Sequence, residues 1–188
     1  MRQLAYALAL SVALALPAAP ATAADESLLA RQAAALAVDE AKQDMAAKFN
    51  RSSLKNGQHL WAGEPSEVTR VVISLNDQMA FAYRGDELIG VSTISSGRKG
   101  HPTPTGIFPI LEKKRLHRSI RYDNAPMPFM QRLDDYGIAM HAGDLPGRPA
   151  SHGCVRLPAA FASKLFAATT VGTEVMIGAR ALPGQASG

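Results

Sequence analysis

The segment 68-VTRVVISLNDQMAFAYRGDELIGVSTIS-95 decides how this chain can fold. Three runs within it, 68-VTRVVISL-75, 79-MAFAYR-84 and 87-ELIGVSTIS-95, are β-branched and partly alternating, and the breaks between them are Asn76-Asp77 and Gly85-Asp86. β-Branched side chains suit a pleated surface, and Asn, Asp and Gly supply turn backbone. The spacing therefore predicts an antiparallel meander of three strands.

Toward the C-terminus, the proline- and glycine-rich hinge 100-GHPTPTGIFPI-110 leads into a basic and aromatic stretch at 111–133. Pro126 and Pro128 there favour a long ordered loop over a helix. Further strands are expected in 136-YGIAMHAG-143, 153-GCVRL-157 and 172-GTEVMIGA-179. Between the last two, 158-PAAFASKLFAAT-169 reads as a helix, opened by proline and carrying Phe161, Leu165 and Phe166. Toward the N-terminus, 27-SLLARQAAALAVDEAKQDMAAKF-49 is rich in helix formers, with Leu28, Leu29, Ala33, Leu36 and Met45 as a thin apolar stripe. It is read either as a helix packed on the domain or as a spacer, followed by a loop over 50–67. Residues 1–23 have a basic start, an uncharged Leu/Ala run and small residues at Ala21 and Ala23, as in a secretory signal peptide. The expected organisation is a signal at 1–23, helix and linker at 24–65, a mostly β domain at 66–180 with one helix near its end, and a flexible tail at 181–188.

A chain of 188 residues that is 47% apolar can bury one core. Its formal charge of +4, without a basic cluster interleaved with aromatics, argues against nucleic acid as a partner. No stable membrane span is expected once the signal is cleaved, because no second long apolar run follows. The sequence has one cysteine, so an intramolecular disulfide is impossible. Cys154 is either a small buried hydrophobe or a working thiol.

A thiol becomes a nucleophile when an imidazole takes its proton, and two histidines are candidates. His152 stands two positions before Cys154, and His141 lies on a separate expected strand across the loop 143-GDLPGRPAS-151. Gly153, lacking Cβ, lets backbone N–H groups beside the nucleophile turn toward an incoming carbonyl as an oxyanion hole. If 153–157 is a strand, Arg156 shares a face with Cys154 and can hold a carboxylate. His141, Asp144, His152 and Cys154 are metal-ligand types, but their spacing matches no zinc pattern. Nothing resembles a phosphate-cradling loop. No metal and no cofactor is expected.

These residues resemble the L,D-transpeptidase catalytic domain, or YkuD domain. Its signature is an upstream His followed, after a variable loop, by Ser/Thr-His-Gly-Cys and often an Arg. Here that maps onto His141, Ser151, His152, Gly153, Cys154 and Arg156. The stretch 92-STISSGRKGHPTPTGIFPI-110, with its Thr-Pro-Thr-Gly segment, and 171-VGTEVMI-177 fit as well. The resemblance covers about residues 66 to 178. It implies a β-sandwich-like fold in a bacterial cell envelope or periplasm, with peptidoglycan tetrapeptide stems as substrate. Cys154 would attack the stem, His141 would act as base, and the terminal D-alanine would leave. The thioester would then pass to an amine. His152 and Gly153 would shape the oxyanion hole, Ser151 would support it, and Arg156 would orient substrate.

Two features depart from the family pattern. The upstream histidine is followed by Ala142-Gly143, so its orienting contact must come from a backbone carbonyl or elsewhere. The loop to Ser151 is also short, which makes 117-HRSIRYDNAPMPFM-130 the candidate lid, with Tyr122 and Phe129 as apolar contacts. An activated Cys154 is expected to react with iodoacetamide well below the free-thiol range. The same site could deliver its thioester to water as a carboxypeptidase, or to an envelope protein as an anchoring enzyme. A non-catalytic peptidoglycan-binding domain is the reading from another class.

Overall fold

The computed structural model describes residues 23–63, 67–121 and 124–179. Residues 1–22 of the expected signal, the expected tail and Tyr122 lie outside the described residues. In chain order the elements are α1 (Ala23–Phe49), β1 (His59–Trp61), β2 (Arg70–Ser74), β3 (Met79–Arg84), β4 (Glu87–Thr93), β5 (Gly106–Pro109), β6 (Glu112–Lys114), β7 (Met130–Arg132), β8 (Ala139–Ala142), β9 (Val155–Leu157), α2 (Ala159–Ala168) and β10 (Glu174–Gly178).

The meander forms as its pattern predicts, with β2 antiparallel to β3 and β3 antiparallel to β4. Its second turn is Gly85-Asp86, with Gly85 at φ +56, a left-handed conformation that costs glycine little. The C-terminal β10 runs parallel to β2 and antiparallel to β5, giving a six-stranded sheet in the order β1-β4-β3-β2-β10-β5. A second sheet has the order β6-β7-β8-β9.

Two strands stand where loops were expected. β1 lies within the 50–67 loop and pairs with β4, and β5 lies within the hinge and pairs with β10. Both are edge strands, short enough that pairing supplies what local pattern does not. The 111–133 stretch likewise begins and ends in the paired strands β6 and β7.

Alternation along the strands builds two cores. On one face of the large sheet, Val71, Ile73, Ala80, Ile89, Val175 and Ile177 pack with Phe161 and Leu165 of α2. The core face of the small sheet, through Met140, Ala142, Val155 and Leu157, closes that interior. On the opposite face, Val72, Phe81, Tyr83, Leu88, Val91 and Met176 meet α1. Burial on both faces explains why these strands read as nearly continuous apolar runs.

The helix α1 is thus a layer of the fold and not a spacer. The residues it buries are Ala34, Ala37, Val38, Ala41 and Met45, whereas Leu28, Leu29 and Leu36 are exposed. The expected stripe is rotated because the small side chains permit the closest approach to the sheet. At Gly178 an added Cβ would stand 2.6 Å from the Ala34 carbonyl oxygen. The Tyr83 hydroxyl donates to Asp44 at 2.7 Å, and Lys42 pairs with Asp77 at 2.9 Å, so polar contacts fix the C-terminal half of the helix.

This close approach is testable. Gly178→Ala should lower stability by about 1–3 kcal/mol, read as a lower urea midpoint, because a backbone oxygen cannot move aside as a side chain can. An unchanged midpoint would show that α1 can shift on the sheet without cost.

Candidate active site

The site is assembled by one pairing. β8 and β9 run parallel, with Met140 opposite Val155, His141 opposite Arg156 and Ala142 opposite Leu157. Successive side chains on a strand point to opposite faces. Met140, Ala142, Val155 and Leu157 therefore enter the core, which leaves His141, Arg156 and Cys154 on the outer face. The far edge of β9 is held by Ser95, whose N–H and carbonyl both pair with Arg156 at 3.0 Å.

That outer face floors a groove of about 1010 Å³, lined by His141, Cys154 and Arg156 together with Ser151, His152 and Asp144. One wall comes from residues within 117–121 and 125–128, two segments that pair with each other. Three 2.9 Å bonds run between them and their flanks: Ser119 N–H to the Ala125 carbonyl, Met127 N–H to His117 and Phe129 N–H to Arg115. Met127 and Pro128 face the groove, with Tyr136, Gly137 and Ile138 on another side. Ile120 is 100% exposed, so this wall carries apolar surface open to solvent.

Hydrogen bonding decides between the two histidines. The Nδ1 of His141 lies 2.8 Å from the Ala142 carbonyl oxygen, which can only accept, so Nδ1 carries the proton and Nε2 keeps the free lone pair. The Nε2 of His152 lies 2.7 Å from the Arg98 guanidinium, which can only donate, so the accepting nitrogen of His152 is already used. The His152 ring also meets His101 edge-on at 4.9 Å. His141 can take a proton and His152 is a brace. The backbone carbonyl expected to orient the upstream histidine is that of Ala142.

The electrostatics favour a neutral pair at rest. Burial holds the His141 imidazole below its ordinary value, aided by the Arg156 and His117 charges and opposed by the Ala142 bond. Burial pushes the Cys154 thiol up and the Asp134 charge adds to this, while the Ala139 N–H and Arg156 oppose. The sulfur packs with Met127, Met130 and Ala139, and Sγ lies 3.6 Å from the Gly137 carbonyl oxygen. The apolar lining thus raises the thiol more than the nearby cation lowers it, opposite in direction to the low-range thiol expected of an activated cysteine.

Around the cysteine the backbone is locked. The Ser151 hydroxyl donates to the Cys154 carbonyl at 2.5 Å and accepts from the Gly153 N–H at 3.1 Å. Gly153 has φ +117, a conformation that favours glycine, and a Cβ there would come within 2.6 Å of Ile138 Cδ1, whose side chain would have to shift. The Gly153 N–H itself is spent on Ser151, and among the described residues no backbone acceptor meets the next N–H, that of Cys154.

A sequence profile of the L,D-transpeptidase catalytic domain (YkuD) matches residues 68–177. The chain belongs to this family. Solved structures agree on the L,D-transpeptidase fold. An L,D-transpeptidase from Mycobacterium tuberculosis is 22% identical with a TM-score of 0.54, covering 57% of this chain and 56% of that one. One from Mycobacterium smegmatis is 19% identical at TM-score 0.55, covering 60% and 58%. L,D-transpeptidase 3 from Mycobacterium tuberculosis, in complex with a faropenem-derived adduct, is 22% identical at TM-score 0.54, covering 58% and 59%. The chain thus spans under three-fifths of the length of each of these relatives. No curated protein matches it.

Within the L,D-transpeptidase domain, Phe129 stands apart from the groove. Its ring packs against the main core, 5.9 Å from that of Phe166 and beneath the Arg115 guanidinium. Its φ of +56 marks the turn that swings it inward. Arg156 does reach the groove, its stem passing over Gly143, where a Cβ would lie 3.2 Å from Cγ and Cδ. The sequence reading passed over Thr103, Gly97 and Ser95, which hold the backbone around Cys154 from the 95–103 segment. The 92–110 stretch was their only signal, and it carried no role for them. No described helix is long and apolar enough to cross a membrane.

The neutral pair has a direct readout. The rate of Cys154 alkylation by iodoacetamide should rise with pH through an inflection above about 8.5, the value of an unperturbed thiol. An inflection well below it would reveal a resting thiolate–imidazolium pair.

Proposed function

We propose that the protein is an exported cysteine L,D-transpeptidase that acts on peptidoglycan tetrapeptide stems in the bacterial cell envelope. The observation that carries this reading is the free Nε2 lone pair of His141 on the groove face shared with Cys154. The Cys154 thiol gives its proton to Nε2 as Sγ bonds to the carbonyl carbon of the third, diamino acid residue. The carbonyl electrons move to oxygen, where the Cys154 N–H receives them. Collapse breaks the C–N bond to the terminal D-alanine, whose nitrogen takes the proton from His141, and leaves a thioester. An acceptor amine then attacks the thioester and yields its proton to Nε2, and sulfur departs and is reprotonated. No cofactor takes part. Arg156 is suited to hold a stem carboxylate beside the thiol.

The reading is tested by incubating the protein and Cys154→Ala with disaccharide tetrapeptide fragments and following products by mass spectrometry. A dimer lacking one D-alanine, formed only with Cys154 present, is the expected result. Tripeptide alone would replace transpeptidation with carboxypeptidase activity, and binding without turnover in both proteins would leave a scaffold.

His141→Ala should lower kcat about 10²- to 10⁴-fold, as loss of a general base does. In the parent, kcat/KM should fall on the acid side with a midpoint below about 6.5, because His141 must be neutral to act and burial depresses its protonation. A midpoint above that value would contradict the assignment.

A further inference from the structure

We infer that Thr103 is a positioning residue that aims the Cys154 N–H into the groove as the oxyanion donor; this rests on thiol acyl transfer at Cys154 but not on the identity of the acyl donor. Thr103 is 5% exposed. Its hydroxyl accepts the Gly97 N–H at 2.9 Å and donates to the Gly153 carbonyl at 2.7 Å. A hydroxyl has one proton, and because Gly97 is the donor in the first bond, that proton belongs to Gly153.

The Gly153 carbonyl and the Cys154 N–H are the two poles of one planar trans peptide, so they point in opposite directions. Anchoring the carbonyl on the buried side turns the N–H outward. The neighbouring polar groups are engaged: the Gly153 carbonyl by Thr103, and the Gly153 N–H and the Cys154 carbonyl by Ser151. Among the described residues no backbone acceptor meets the Cys154 N–H. A bond to the carbonyl also polarises the peptide, which strengthens its N–H as a donor.

Thr103 can hold that carbonyl because its own loop is tight. The His101 N–H closes on the Arg98 carbonyl at 2.9 Å, and a Cβ on Gly97 would fall 2.1 Å from the His101 carbonyl oxygen. The loop is also bridged to the nucleophile segment, since Arg98 N–H donates to the Ser151 carbonyl at 3.0 Å.

The test compares a reaction that builds an oxyanion with one that does not. Thr103→Val and Thr103→Ala remove the hydroxyl, Thr103→Ser restores it, and reading both deletions secures one folded variant, checked by circular dichroism. Alkylation of Cys154 by iodoacetamide passes through no oxyanion, whereas acylation by p-nitrophenyl acetate and by the tetrapeptide does. The deletions should slow acylation about tenfold or more through kcat, with KM and the alkylation rate within about twofold of the parent, and serine should recover most of the loss. Acylation at the parent rate, or equal loss in acylation and alkylation, would overturn the inference. If the parent ignores the tetrapeptide while ester acylation still depends on Thr103, the substrate reading falls and the inference stands.

Discussion

Parallel pairing of β8 with β9, in the register that sets His141 opposite Arg156, is the constraint from which the site follows. A shift of one residue would carry His141 into the core and bring Met140 to the groove, since side chains alternate along a strand. The register is held from the core face and from the edge. Met140, Ala142, Val155 and Leu157 are committed to the interior between the sheets. Ser95, at the end of the β4 run, grips Arg156 through both backbone groups. The meander thereby positions the chemistry, although none of its residues touches the sulfur.

The local residues around the thiol then do what a strand alone cannot. A short strand places Cys154 but leaves its flanking peptides free to rotate, and Ser151, Gly153 and Thr103 remove that freedom. The Ser-His-Gly-Cys element is therefore as much a backbone device as a set of reactive groups. Its histidine illustrates this, because the Arg98 contact makes His152 a brace between the 97–103 loop and the nucleophile segment.

What was legible in the sequence followed the range of the interactions involved. Strands β2, β3 and β4 and helix α2 were readable because their apolar patterns are local and long enough to repeat. The edge strands β1 and β5 were not, since three or four residues next to glycine and proline become strands only through a distant partner. The α1 stripe was misplaced for a similar reason: leucines carry the stronger hydrophobic signal, yet the alanine face fits against Gly178. Cys154, His141 and Arg156 could be picked out through residue chemistry and resemblance. Phe129 could not be placed, because a left-handed turn sends its ring to Phe166 and away from the groove. Thr103 was invisible as a participant because it acts through the carbonyl of a residue fifty positions away.

The choice of a carbonyl as the partner of His141 bears on how the pair works. A carboxylate on Nδ1 would stabilise imidazolium strongly and favour a resting ion pair with the thiolate. The Ala142 carbonyl fixes the tautomer and the ring plane while stabilising the cation less, and burial of both groups disfavours charge on either. Separated charge in this groove thus needs a further source of stabilisation. An acyl substrate provides it, since proton transfer to His141 then accompanies development of an oxyanion that a fixed N–H can meet. In the proposed reaction, orientation by a carbonyl, an apolar bed for the sulfur and a locked donor peptide become three parts of one arrangement, in which the thiol is activated as a carbonyl comes into place.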